Sequence, residues 1–106
     1  MSATANGTVF RPNPNQILNV FTIDGSQYTF ASSVATPLPP FQAVTATINY
    51  DYPDQLIANR FYDGSVQGGQ LNIQLDNGVR ITATVEPPID VGRFQGQGHW
   101  EVEQGD

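Results

Sequence analysis

Apolar and polar residues alternate with a period of two through most of this chain. That is the spacing of strands that bury one face. Leu71, Ile73 and Leu75 alternate with Gln70, Asn72 and Gln74, and Val79, Ile81, Ala83 and Val85 alternate with Arg80, Thr82 and Thr84. Earlier in the chain Val44, Ala46, Ile48 and Tyr50 share one face, with Thr45, Thr47, Asn49 and Asp51 on the other. From Arg93 to Val102 the pattern puts Phe94, Gly96, Gly98, Trp100 and Val102 on one side. Arg93, Gln95, Gln97, His99 and Glu101 fall on the opposite side. Shorter strands are predicted at Thr8 to Arg11, stopped by Pro12 and Pro14, at Ile17–Ile23, at Tyr28–Ser33 and at Leu56–Tyr62. The last of these is expected to end at Asp63-Gly64-Ser65, with Val66-Gln67 continuing beyond a bulge before Gly68-Gly69 turns the chain. Ten glycines and eight prolines interrupt nearly every window long enough for a helix.

Two hairpins can be assigned a register. Around Asp24-Gly25-Ser26-Gln27, a two-residue loop at Gly25-Ser26 pairs Ile23 with Tyr28, Phe21 with Phe30 and Ile17 with Val34. It stacks aromatic on aromatic, and glycine first in the loop suits a type II′ turn. A loop at Asp24-Gly25 would set Asn19 against Phe30, so the first register is expected. Around Asp76-Asn77-Gly78, a two-residue loop would put Leu75 beside Arg80. A three-residue loop pairs Leu75 with Val79 and Ile73 with Ile81, which predicts a type I turn with Gly78 left-handed in a bulge. Residues 35–41 carry a P-x-x-P-like element from Pro37 to Pro40, read as a stiff crossover in preference to a polyproline ligand.

These elements give seven or eight strands in a chain of 106 residues, one all-β domain over 1–106. A β-sandwich is expected, because so short a chain has little to spend on a roomy interior; a small up-and-down β-barrel is the alternative. Leu, Ile, Val and Phe supply 27 residues, enough for a folded core.

Charge narrows the partners. The net charge is −6, lysine is absent, and the four cations are Arg11, Arg60, Arg80 and Arg93. Scattered arginines in a negative field argue against nucleic acid and against an anionic membrane surface. No run is long and apolar enough for a membrane span, and Met1 to Asn6 shows no signal-peptide pattern, which slightly favours a cytoplasmic protein. Cysteine is absent, which removes disulfides and thiolate chemistry. Asn and Gln number 18 against 14 charged residues, so the surface is expected to be rich in amides.

The candidates for chemistry are few. His99 and Glu101 share a strand face and form the one candidate acid/base pair, although two solvated side chains would read the same way. Asp51, Asp54 and Asp63 are weak metal candidates whose spacing matches no calcium loop. No cofactor is implied. Gly96 and Gly98 leave a gap on the inner face, to be filled by Phe21, Tyr28, Phe30 or Phe61, or by an apolar ligand between Phe94 and Trp100. The opposite face, with Arg93, Gln95, Gln97 and His99, presents neutral donors and acceptors. Tyr50, Tyr52 and Tyr62 are expected to add an aromatic platform from nearby turns. The reading is a non-enzymatic module that binds carbohydrate or another protein. An apolar-ligand barrel and a minor enzyme using His99 are the alternatives. Few charges guard the predicted edge strands, so a homo-oligomer is expected.

Overall fold

A computed structural model describes residues 3–104 of the chain. Met1 and Ser2, which open the N-terminal segment inspected for a signal peptide, lie outside the described residues. Eight strands form: β1 (Ala3–Asn13), β2 (Gln16–Ile23), β3 (Ser26–Val34), β4 (Gln42–Tyr50), β5 (Asn59–Gln67), β6 (Gln70–Leu75), β7 (Arg80–Thr84) and β8 (Gly92–Gln104). All pairings are antiparallel, and the strands close into a barrel in the order β1-β2-β3-β8-β5-β6-β7-β4. The all-β expectation holds, and the barrel is realised in place of the preferred sandwich. Each half of the chain runs as three consecutive strands, with a fourth returning beside the first, so the order is that of two Greek keys. Closure gives each strand a neighbour on both sides, which removes the edge strands from which self-association was expected.

A barrel this small needs no roomy interior, because its own side chains fill it. Phe30 packs against Trp100 (centroids 5.0 Å) and against Tyr62 (6.0 Å), and Tyr62 meets Phe94 edge-on at 6.3 Å. This aromatic chain occupies the room left by Gly96 and Gly98. A Cβ on Gly96 would collide with the Ser33 carbonyl and the Tyr62 hydroxyl, and one on Gly98 with the Phe30 ring. Leu38 and Phe41, from the proline-bearing connection, are buried at one end of the barrel, as Leu56 and Val79 are at the other. The Pro37–Pro40 stretch is thus a crossover, anchored by Leu38 N–H donating to the Pro14 carbonyl at 2.8 Å.

Three local expectations need correction. The first hairpin turns at Asp24-Gly25, pairing Ile23 with Ser26, Phe21 with Tyr28 and Asn19 with Phe30. Both turn residues have positive φ (51° and 80°), the geometry of a type I′ turn. The pairing rejected from sequence is tolerated because buried Asn19 donates from Nδ2 to the Phe30 carbonyl at 3.2 Å. The Asp63-Gly64-Ser65 segment does not turn. β5 runs straight through it, and Gly64 lies under the Phe94 ring. Finally, Val44 is 76% exposed, not inward. The β1–β4 register shifts between Gly7↔Ala46 and Val9↔Ala43, so one extra residue on β4 turns Val44 outward. The second hairpin follows the expected register, with Ile73 opposite Ile81, Leu75 N–H donating to the Val79 carbonyl at 2.8 Å and Gly78 at φ 91°.

Candidate functional site

The outer wall formed by β3, β8, β5, β6 and β7 is a grid set by register. One cross-strand row reads Ser33, Gln97, Phe61. The next reads Gln95, Asp63, Gln74, Arg80, and the third Arg93, Ser65, Asn72, Thr82. The amide-rich face expected on the last strand continues onto β6 and β7, with β5 inserted between β8 and β6.

β5 changes the character of that face. Its inward positions are Tyr62, Gly64 and Val66, so Phe61 and Asp63 point out. Phe61 is 67% exposed and stands in an open groove of about 670 Å³. Ser33, Asp63, Asp76, Gln95 and Gln97 are the polar residues of its lining. Asp76, just past β6, accepts from the Phe61 N–H at 3.2 Å through Oδ2 and pairs with Arg60 at 3.6 Å through Oδ1. Asp63 Oδ1 accepts from Gln95 Nε2 at 2.9 Å. Both carboxylates are thereby oriented before any ligand arrives, and each keeps lone pairs free.

The other candidates are placed as follows. Tyr62 is buried and donates its hydroxyl to the Ser33 carbonyl at 3.0 Å, and Tyr50 is buried at the end of β4. Neither is a turn platform; in both cases the strand phase faces the ring inward. Burial, the larger cause, pushes the Tyr62 phenol above its ordinary value, against a smaller lowering contribution from Ser32. Tyr52 is exposed in the β4–β5 connection at the barrel's end and does not line the groove. Trp100 is inside, against Phe30. His99 Nε2 lies 3.1 Å from Glu101 Oε1, with both side chains more than half exposed, above a smaller depression shared with Gln97 and Asn59.

Asp51 and Asp54 sit at the barrel's end, where Gln55 organises the chain. Its Oε1 accepts from the N–H groups of Asp51 (2.6 Å) and Tyr52 (3.1 Å). Asp63 is on the wall, in mid-strand, so the three aspartates do not converge. No group of three His, Asp or Glu side chains able to hold a metal occurs among the described residues. No helix among them is long and apolar enough to cross a membrane.

Sequence reading missed Phe61 as an outward residue. The signal was present: Tyr62 shares its parity with Gly64 and Val66, but only if no turn intervenes at Asp63-Gly64-Ser65.

No protein-family model matches this chain, and no curated protein sequence does. Among solved structures it is similar to the virulence-associated protein VapB from the intracellular pathogen Rhodococcus equi. The TM-score is 0.59 at 15% sequence identity, over 95% of this chain and 98% of that one. At that identity the likeness is one of fold.

Proposed function

We propose that this protein is a non-enzymatic binding module that takes a carbohydrate in the groove around Phe61. The observation that carries the reading is the exposed Phe61 ring set among Asp63, Asp76, Gln95 and Gln97. A pyranose offers an apolar C–H face and a rim of hydroxyls. The ring takes the first, and carboxylates and amides with fixed orientation take the second. His99 lines a neighbouring depression that shares Ser33 and Gln97 with the groove, and no cofactor enters the reading.

The test is a titration of the ¹⁵N-labelled protein with neutral oligosaccharides, following backbone amides. Saturable shifts are expected at Phe61, Asp63, Gln95 and Gln97. Phe61→Ala is expected to weaken binding about tenfold, the worth of one aromatic contact, with the melting temperature unchanged. Binding that survives Phe61→Ala undiminished would remove the reading.

A second reading, self-association, is supported by a different wall. Val44 and Phe10 are exposed (76% and 39%) on the outer face of β4 and β1, with half-buried Leu18 and Val20 on β2 beside Phe10 and Thr8. Light scattering over a hundredfold concentration range is expected to show a mass above one chain, and a reduction of that mass in Val44→Glu. A monomer throughout would exclude it.

A further inference from the structure

Beside the Phe61 groove, and sharing Asp63 with it, lies a second depression of about 400 Å³. Its lining takes Asp63, Gln74 and Arg80 of the second row and Arg93, Ser65, Asn72 and Thr82 of the third, with Gln67 beyond them. The two arginines stand at opposite corners of that array, three strands apart, and both side chains reach the same basin.

The chain has ten acidic residues and only four cations. Arg60 is taken by Asp76. Among the described residues, neither Arg80 nor Arg93 forms a salt bridge, and both are exposed. Asp63 is the one carboxylate lining the basin, and it already accepts from Gln95. The basin therefore holds two free guanidinium forks, two hydroxyls and the three amides of Gln67, Asn72 and Gln74. Guanidinium forks match the paired oxygens of a carboxylate, sulfate or phosphate, and hydroxyls and amides complete the shell of such an anion.

We propose that the Arg80–Arg93 basin is an oxyanion site, and that the ligand is an acidic oligosaccharide. One sugar lies on Phe61 and a uronate or sulfate group on a neighbouring unit lies between the arginines. The identity of the ligand rests on the carbohydrate reading above; the anion site itself does not. The site also gives the two arginines a role in selectivity. A neutral sugar fills the groove alone, whereas a charged one engages both depressions.

The experiment uses the full chain, ¹⁵N-labelled, with backbone amides and arginine Nε–H groups observed. Sodium sulfate is titrated against sodium chloride at equal ionic strength. Saturable shifts are expected at the Arg80 and Arg93 Nε–H groups and at Ser65, Asn72 and Thr82; their absence overturns the site. Hexagalacturonate is then compared with its fully methyl-esterified form, which lacks its charges, and a κ-carrageenan hexasaccharide, which carries sulfate esters and no uronate, with its desulfated form. A charged form is expected to bind about tenfold more tightly than its uncharged form, the scale of two exposed charge contacts. The double substitution Arg80→Gln with Arg93→Gln is expected to abolish that ratio. Whichever charged sugar shows the larger ratio identifies uronate or sulfate ester as the group held. Equal affinity for charged and uncharged forms overturns the acidic-ligand assignment and leaves the carbohydrate reading standing. Saturable sulfate shifts with no sugar binding at all would overturn the carbohydrate reading and the acidic-sugar assignment, and leave the oxyanion site.

Discussion

Tyr62 shows how much depends on the facing of one side chain. The ring fills the space beside Gly96, touches Phe30 and Phe94, and spends its hydroxyl on the Ser33 carbonyl. An unfolded tyrosine ionises near 10.0, whereas burial holds the folded Tyr62 phenol neutral to higher pH. Between those two values the unfolded chain binds fewer protons than the folded one. Stability is therefore full below about pH 10 and falls as pH rises from there through the folded value. Tyr50 is raised in the same direction, by burial first and then by Asp24 and Tyr28. Tyr62→Phe is expected to cost about 1 kcal/mol at neutral pH, the worth of one hydrogen bond, and to shallow the alkaline decline. Urea midpoints for both proteins between about pH 8 and pH 11 decide this. Parallel decline in the two would mean that Tyr62 is not the group responsible.

At the scale of elements, turn chemistry was legible where only one register kept the faces in phase. Asp76-Asn77-Gly78 is such a case: the three-residue loop was required to bring Leu75 to Val79, and the structure has it. A Cβ on Gly78 would meet nothing within 4 Å, yet its φ is 91°. The residue is needed for conformation, not for space. Gly78→Ala is thus expected to cost about 1 kcal/mol and to lower the melting temperature by roughly 5 °C. Calorimetry checks it, and an unchanged melting temperature would mean that the turn relaxes. At Asp24-Gly25 the two registers differ by two residues and bury the same faces, so alternation could not choose between them. The choice rested on Asn19, whose buried Nδ2 donates to the carbonyl of Phe30, the residue opposite it in the hairpin. The bulge that exposes Val44 is likewise invisible in an unbroken alternation.

For the whole molecule, closure is the deciding event. It brings β8 between β3 and β5, so that Gly96 and Gly98 receive Tyr62 and Phe30. Trp100 lies in that packed interior, 7% exposed. Its fluorescence is expected to be weakly quenched by acrylamide and unmoved by lipophilic probes. Efficient quenching, or a shift on adding such a probe, would point to an opening beside the aromatic chain and support the apolar-ligand reading. The same closure puts Phe61, Asp63, Arg80 and Arg93 on one wall.

The sequence by itself determined that the protein is all-β, which faces of most strands are buried, where the second hairpin turns, and that β8 carries an amide-rich outer face. These follow from period-two alternation and local turn sterics, which act within a few residues. Only the tertiary structure decided between sandwich and barrel, the placing of β5 beside β8, the outward turn of Phe61 and the union of Arg80 with Arg93. Each of these depends on which strands pair across long stretches of chain. Hydrogen-bond ladders accept many such pairings, and the packing of one shared interior selects among them.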